Sequence, residues 1–364
     1  MKYFLVILLL CCLGSNLSAQ DFRFSQFDLN PIYMNPAYSG SQKDLRIGIN
    51  YRNQWFNVPG RSLPGPLSSY NLVVDKRFGN VLVGGLSANI FQSFKGEGQY
   101  KHTHAGFNYS WHLPTKNEDF SMFFGLGVSY NNIGVDFSRL IFTDQIDAQG
   151  GYLNTPSAFI PSAEGATNYI DWSSGTVLKV NMGRVVSGEF SFSVNHLTSP
   201  NVSLNSLEEK LARKYTSFGS LSFRFKNSGV YLNPKVMIEF QAPFSTYTLG
   251  SSVYITKRNV YNKMENFSKP LYFGVYFQAS RFELLNTNSM ILMLGHTGFF
   301  GISSTRYQFG LSADVNLGGL NMRSNITGEI SMNIIFDKNK NKRNKSRRGD
   351  VKCPLFKGNP LSPF

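Results

Sequence analysis

Apolar and polar residues alternate with a period of two along many long segments of this 364-residue chain. In residues 189–197, Phe190, Phe192 and Val194 share one face, and polar or charged residues lie between them. The same pattern recurs in residues 45–52, 230–241 and 329–336. Alternation of this kind is typical of β-strands in a sheet with one apolar and one polar face. The chain is therefore expected to be an all-β protein.

The length of the alternating segments separates two all-β folds. A secreted β-sandwich turns its apolar face inward and uses strands of about 5 to 6 residues. A transmembrane barrel turns its apolar face to lipid and needs strands of about 9 to 11 residues, the length of many segments here. Charged residues make up only 16% of the chain, against roughly 25% in soluble domains. We predict an outer-membrane β-barrel of about fourteen antiparallel strands over residues 43–337, with the sandwich as the alternative.

The first residues resemble an export signal. Lys2 precedes an apolar run, and small residues lead to an expected cleavage after Ala19, so residues 1–19 are interpreted as a secretory signal peptide. The neighbouring Cys11 and Cys12 leave a lipoprotein signal as an alternative. After cleavage Cys353 would be the remaining cysteine, which excludes a disulfide within one chain.

Residues 20–42, here called the strap, are rich in aromatic residues and precede the first alternating segment. Pro31 and Pro36 fix their own φ angles and bias the preceding residues toward extended conformations, which should exclude a helix. We expect the strap to lie on the periplasmic side, where it could pack along the barrel mouth or plug the lumen. Its role could be to seal the barrel or to dock periplasmic machinery.

The connections between predicted strands fall into two classes. Residues 114–118 and 226–229 make short links after even-numbered strands, whereas residues 132–168 and 198–211 make long links after odd-numbered strands. Outer-membrane barrels have short periplasmic turns and longer extracellular loops. Both termini are therefore predicted to be periplasmic, although the long link over residues 257–269 departs from the pattern.

Three short motifs carry a resemblance to a known family. FSQFDLNPIYMNPAYSG in the strap, YRNQW at the first strand and KCPLF near the C-terminus resemble the PorP/SprF family of type IX secretion system outer-membrane proteins in Bacteroidota. The matching residues are Phe24, Ser25, Gln26, Asn35, Pro36, Ala37, Tyr38, Gly40, Arg52, Asn53, Gln54, Trp55, Cys353, Pro354 and Phe356. One departure is Ala313 before Asp314, where the family often shows a Tyr-Ser-Tyr-Asp-like strand.

The resemblance implies a barrel that helps to secrete or anchor a particular surface protein, such as an adhesin, through that protein's C-terminal sorting domain. Implied partners are the type IX secretion machinery, this exported protein and outer-membrane lipid, and the motif residues are candidates for periplasmic docking. Candidate contacts for the exported protein are apolar residues of the two long extracellular loops: Phe137, Phe142, Phe159, Ile160 and Leu207. Residues 205–214 of the second loop could form a short capped helix.

Catalytic chemistry finds little support in the sequence. No Gly-x-Ser-x-Gly motif is present, and no Ser, His and Asp set is singled out by spacing. His102 and His104 share a strand face and could bind a metal, but a polar pair in the lumen is the preferred interpretation. The chain is expected to be neither an enzyme nor a cofactor-binding protein.

Two further features leave alternatives open. The competing function is an outer-membrane pore or small-solute transport barrel, in which Arg46, Arg52, Lys235 and Glu239 would line the lumen. The formal net charge is +14, and cations are concentrated in the basic tail over residues 338–364. Because this tail should lie in the periplasm, we expect it to contact anionic lipid or an acidic protein, and not nucleic acid.

Overall fold

A computed structural model describes residues 21–42, 44–54, 67–78, 84–96, 100–113, 119–147, 150–153, 155–158, 165–182, 186–204, 208–225, 229–257, 268–280, 289–299, 305–317 and 326–336. Within these ranges fourteen strands form one closed barrel, in which each strand pairs antiparallel with its sequence neighbours and β14 pairs with β1. The strands are β1 Leu45–Gln54, β2 Leu67–Phe78, β3 Gly84–Lys95, β4 Tyr100–Leu113, β5 Phe120–Gly134, β6 Ala166–Met182, β7 Val186–Asn195, β8 Lys214–Arg224, β9 Val230–Gln241, β10 Phe244–Lys257, β11 Ser268–Ser280, β12 Ser289–Phe299, β13 Thr305–Asn316 and β14 Ile326–Phe336. The predicted fold class is confirmed, and the β-sandwich is excluded.

The barrel is apolar outside and polar inside. Exposed large side chains such as Ile49 on β1, Leu126 on β5 and Phe190 on β7 point outward, and similar residues on the other strands make an apolar belt around the wall. The alternate residues point inward, where charged groups such as Arg46 and Glu329 are buried. A soluble protein buries most of its large apolar side chains, so this inverted arrangement is that of a barrel in lipid. Among the described residues, no helix has the length and apolar character needed to cross a membrane.

The two ends of the barrel carry different connections. At the end where β1 begins and β14 ends, here called the short-turn end, residues 183–185 join β6 to β7. At the opposite end, the long-loop end, residues 135–165 join β5 to β6 and residues 196–213 join β7 to β8. The link of β9 to β10 at the long-loop end is only Ala242 and Pro243, and residues 258–267 make a longer link at the short-turn end. The link of β3 to β4 at the long-loop end, residues 96–99, is also short, so the expected alternation of short and long links has three exceptions.

The strap crosses the whole lumen. Asp21 lies at the long-loop end, where its backbone N–H donates to Gln241 Oε1 at 2.9 Å. Gly40 lies at the short-turn end, where its N–H donates to Asp75 Oδ2 at 3.0 Å. Of the positions considered from the sequence, plugging of the lumen is the one observed. The strap therefore runs from the long-loop end to the short-turn end, where β1 begins, and a barrel of fourteen strands has room for such an internal chain.

The strap is folded into two short turns. A single helical turn, α1 at Pro31–Met34, is followed by a 3₁₀ turn at Pro36–Tyr38. The expectation that the two prolines exclude a helix is wrong, because proline at the first helical position removes an N–H that would have no helical partner. The Asn35 side chain caps the second turn by accepting a hydrogen bond from the Ala37 N–H at 2.8 Å.

Apolar patches inside the lumen receive the aromatic residues of the strap. Phe22 packs against Phe91 with ring centroids 5.1 Å apart. Phe27 packs against Phe218 and Tyr276 at 5.8 and 5.3 Å. These inward-facing aromatic residues break the rule that the inner face is polar, and they do so where the strap covers them. The core of this protein therefore lies between the strap and the inner wall.

The short helix expected in residues 205–214 is not formed by their described part. Residues 208–213 have no helical turn, and Lys210 instead pairs with Asn201 in an isolated antiparallel bridge. The hydrogen bond from the Leu211 N–H to the Pro200 carbonyl oxygen, at 2.9 Å, belongs to the same paired arrangement. Pairing across the loop thus replaces local helix formation.

We predict that Gly125→Leu expels the strap from its seat. A Cβ atom at Gly125 would lie 2.2 Å from Ala37 N and 2.5 Å from Ala37 Cα, so the backbone of the strap would have to shift. The overpacking should destabilise the protein by about 1–3 kcal/mol, measured as a lower midpoint of thermal unfolding in detergent. Gly219→Leu is the matched control, because a Cβ atom at Gly219 would meet Val236 Cγ1 at an ordinary 3.4 Å. Equal midpoints for the two variants would contradict the seated strap.

Candidate functional site

The strap motif and the first-strand motif meet at one buried carboxylate. Glu329 on β14 accepts hydrogen bonds from the backbone N–H groups of Ser25, at 2.7 Å, and Gln26, at 3.1 Å. The Gln26 side chain also donates to the Glu329 carbonyl oxygen at 2.9 Å. Arg52 on β1 pairs with the same carboxylate at 3.2 Å. Two segments that are separate in the sequence therefore share one anchor.

Asp314 on β13 completes this anchor. Its carboxylate pairs with Arg52 at 2.8 Å and accepts a hydrogen bond from Ser25 Oγ at 2.5 Å. The Ser25 hydroxyl also contacts the Arg52 guanidinium directly. We call Ser25, Gln26, Arg52, Asp314 and Glu329 the arginine anchor. The sequence reasoning missed both carboxylates, although their positions on the polar faces of β13 and β14 marked them as lumen residues.

The second half of the strap motif docks on β6 and β7. Asn35 Nδ2 donates to the carbonyl oxygens of Thr176 and Phe192, each at 3.0 Å. Tyr38 donates its hydroxyl proton to Glu189 at 2.5 Å, and Lys179 pairs with Glu189 at 3.1 Å. The Asn-Pro-Ala-Tyr sequence thus serves as a docking turn against the inner wall. Pro36 and Ala37 belong to this turn and are buried.

Gly40 closes the motif where the strap leaves the lumen. Its φ of +63° lies in the left-handed region that glycine adopts at little cost. A Cβ atom there would also lie 2.5 Å from Gly85 Cα. The motif residue is therefore required both by the turn and by close contact with β3.

The lumen charges are matched with one another or with the strap. Arg46 pairs with Asp75 at 2.5 Å. Lys235 pairs with Asp28 of the strap. Glu239, at the long-loop end, pairs with Lys214 at 3.0 Å and with strap residue Arg23 at 3.2 Å. The four residues proposed as pore lining, Arg46, Arg52, Lys235 and Glu239, do line the lumen, but their charges are engaged in this packing.

A histidine holds the start of the strap at the long-loop end. His196 follows β7, and its Nε2 lies 2.7 Å from Asp21 Oδ2 while its Nδ1 lies 2.7 Å from Asp171 Oδ2. Burial disfavours the imidazolium, but the neighbouring Asp21 and Asp171 carboxylates outweigh it and raise the pKa of His196 to about 10. Burial also opposes the Asp21 carboxylate, yet His196 holds the pKa of Asp21 below its usual range. We call these three residues the histidine latch.

The remaining motif residues are only partly placed. Phe24, Ser25, Gln26, Asn35, Pro36, Ala37, Tyr38, Gly40 and Arg52 are buried against the lumen. Asn53 donates to the Tyr51 hydroxyl at 3.3 Å, and Gln54 ends β1. Trp55, Cys353, Pro354 and Phe356 lie outside the described residues. The buried motif residues offer no surface to a separate docking protein in this conformation.

Two of the five predicted loop contacts lie among the described residues. Phe137 and Phe142 are half-buried, while Phe159, Ile160 and Leu207 lie outside the described residues. Within the described part of the β5–β6 loop, the exposed large apolar residues are Ile141, Ile146, Tyr152 and Leu153. The aromatic composition of the loop selects the phenylalanines as candidate contacts. Their exposure, however, depends on how the loop folds.

The two histidines considered as metal ligands share an amide partner. His102 Nε2 and His104 Nδ1 lie 3.2 and 2.9 Å from Asn131 Oδ1. In the part of the chain that the structure describes, no group of three His, Cys, Asp or Glu residues is arranged to hold a metal ion.

The chain resembles known proteins in sequence and in fold. A family model described as "Type IX secretion system membrane protein PorP/SprF" matches residues 16–334. The fold is similar to the crystal structure of a Pseudomonas aeruginosa FadL homologue, with 11% identity, a TM-score of 0.51, and coverage of 85% of this chain and 94% of that one. It also matches the CymD monoaromatic hydrocarbon channel, with 12% identity, a TM-score of 0.48, and coverage of 85% and 93%. No curated protein matches the chain in sequence. At such low identities the structural likeness concerns the fold alone.

The histidine latch predicts a defined pH dependence. Because the pKa of His196 is raised from 6.5 to about 10, its stabilisation is full below pH 6.5 and is lost as the pH rises through about 10. The lowered pKa of Asp21 adds stabilisation that is present above pH 3.8 and is lost only in stronger acid. Trypsin should therefore cleave after Arg23 faster at pH 9.5 than at pH 7, relative to cleavage after Arg139 in an exposed loop.

A variant separates the latch from the general effect of alkali. His196→Gln keeps hydrogen-bonding capacity but has no titrating ring, so the ratio of cleavage after Arg23 to cleavage after Arg139 should not change with pH. A wild-type ratio that is equally constant over this range would show that His196 does not hold the strap.

Proposed function

This chain belongs to the PorP/SprF family of type IX secretion system membrane proteins, and we propose that it acts as a plugged outer-membrane barrel that helps to secrete or retain one particular cell-surface protein. The long-loop end would face the cell exterior and bind the C-terminal sorting domain of that exported protein. The short-turn end would face the periplasm and the secretion machinery. In this proposal the barrel performs no catalytic reaction.

The filled lumen is the observation that carries the proposal. The strap crosses from Asp21 to Gly40 with its side chains buried against the wall, and its motif residues are used in that packing. A solute pore needs a continuous open path, whereas this interior is occupied by the chain itself. The surfaces left for partners are the loops, the short-turn end and the outer wall.

The β5–β6 loop supports the assignment of partner binding to the long-loop end. Gln145 of this loop is buried at 6% exposure: its side chain accepts a hydrogen bond from the Phe142 N–H at 3.0 Å and donates one to the Thr155 carbonyl oxygen at 2.7 Å. Apolar side chains on either side of it are exposed, with Ile141 62% exposed and Tyr152 58% exposed. An exposed apolar patch on a fixed loop is typical of a protein contact surface.

The same loop is held in shape before any partner binds. Asp144 accepts hydrogen bonds from Ser157 Oγ at 2.8 Å and from the Ala158 N–H at 2.7 Å. Ile146 and Tyr152 face each other in an antiparallel bridge. A pre-organised surface loses less conformational entropy on binding than a mobile one. Phe137 and Phe142 would then support this surface from below.

Coupling to the secretion machinery is assigned to the short-turn end. The family motif residues are packed inside the barrel, so their contribution would be to hold the strap in the lumen. The chain leaves β14 at the short-turn end, and the basic residues 338–352 of the tail would follow there. These cations would suit an acidic protein or anionic headgroups. Lipid would surround the apolar belt.

We predict that two substitutions in the loop detach the exported partner. A tagged copy is purified from gently solubilised membranes, and co-purified proteins are quantified by mass spectrometry. Ile146→Asp with Tyr152→Asp should lower recovery of an exported protein carrying a C-terminal sorting domain by about tenfold or more, because loss of a central apolar anchor of an interface costs over about 1 kcal/mol. Type IX secretion subunits should still co-purify.

Lys210→Asp is the control for charge. It changes the net charge by the same two units in the other long loop, where the Lys210 side chain forms an exposed ion pair with Glu208. Recovery of the partner should match the wild type. A wild-type barrel without any exported partner, together with steady conductance in planar bilayers, would contradict the proposed function and favour a pore.

A further inference from the structure

A groove of about 630 Å³ lies on the outer wall of the barrel, across β4 to β7. Two rows of outward-facing residues run across these four strands in register and form its lining. One row is Tyr109, Leu126, Ser174 and Val194, and the other is Trp111, Phe124, Thr176 and Phe192. In each row three members are large and the member on β6 is small.

The sequence of β6 explains why the groove exists. Many outward positions elsewhere on the belt carry large apolar side chains, as Trp172 does earlier on the same strand, whereas β6 presents two short side chains in succession. Ser174 and Thr176 are too short to reach the level of Phe124 and Phe192 on either side. The result is a trough along β6 with aromatic and aliphatic walls and two hydroxyl groups on its floor.

The inner side of the same wall is occupied by the strap. Gly125 and Gly175 form the floor between the two rows, and a Cβ atom at Gly175 would lie 2.1 Å from Asn35 Oδ1. Ser110 donates to the Ala37 carbonyl oxygen at 2.8 Å, next to Gly125. The wall here is one backbone thick and is supported from within by the docking turn. The floor therefore cannot move inward to close the groove.

The position of the groove determines what fills it. Trp111, Leu126 and Phe192 line it and are themselves exposed members of the apolar belt. Water in such a trough would find few hydrogen-bond partners, whereas the belt places hydrocarbon against it. We propose that the groove is a binding site for one acyl chain of a membrane lipid, held longer than the lipids that contact the rest of the belt.

This site would also stabilise the strap. Asn35 binds the carbonyl oxygens of Thr176 and Phe192, so the residues that line the groove outside carry the strap contacts inside. An acyl chain packed on the floor would add dispersion contacts to a wall that is otherwise thin. The inference is independent of the identity of the exported protein.

Photo-labelling tests the site directly. The full chain is reconstituted in phosphatidylcholine vesicles that contain a phosphatidylcholine with a diazirine on its acyl chain, then irradiated and mapped by mass spectrometry. Labelling should concentrate on peptides covering residues 109–126 and 172–194, and it should saturate as the fraction of photoactive lipid rises. Even labelling around the belt, without saturation, would overturn the proposal.

Variants that fill the groove provide the second arm. Ser174→Phe should weaken apparent lipid binding at the groove about tenfold, the factor that corresponds to 1.4 kcal/mol. Val275→Phe, which adds a ring to the belt on β11, should leave it unchanged. If Ser174→Phe does not fold, Ser174→Leu takes its place. Groove labelling that is unaffected by either filling variant would contradict an acyl-chain site. A protein partner cross-linked to the groove in native membranes would also contradict it.

Discussion

Buried charge in the lumen is the constraint on which the rest of this structure depends. A charged group removed from water is strongly destabilising unless a partner of opposite charge and further hydrogen bonds are present. The inner wall carries Arg52, Lys235 and Glu329, and each meets the strap: Arg52 and Glu329 at Ser25, and Lys235 at Asp28. The strap is therefore the part of the chain that makes a polar barrel interior compatible with close packing.

The sequence predicts the barrel well because outward and inward residues differ at every second position over whole strands. It does not predict the path of the strap, because pairing of Asp28 with Lys235 joins residues far apart in sequence and no local pattern encodes it. Inward-facing aromatic residues such as Phe218 and Tyr276 depart from the polar pattern of the inner face. Their position is explained by the strap, because Phe27 packs against both. The family resemblance selects the motif residues, but their burial in the lumen, for those that the structure describes, is not encoded in the motif itself.

Because the strap occupies the lumen, the surfaces that remain accessible to partners are the loops, the short-turn end and the outer wall of the barrel. The motif Asn-Pro-Ala-Tyr supports the wall from within, and the same wall presents the groove at Ser174 and Thr176 outside. At the long-loop end, the β5–β6 loop buries Gln145 and exposes Ile141 and Tyr152. In this account the strap is a structural element that fixes the barrel, while loops and outer wall provide contacts with protein and lipid.

The direction of the strap through the lumen is the central claim, and paired cysteines test it. With Cys353 replaced by Ser, Asp21→Cys with Gln241→Cys places one pair at the long-loop end, and Ser39→Cys with Ser87→Cys, whose hydroxyls lie 2.8 Å apart, places another at the short-turn end. A short thiol cross-linker should join both pairs in native membranes, but not the crossed pair Asp21→Cys with Ser87→Cys. Joining of the crossed pair, or of no pair, would contradict a strap that threads the barrel.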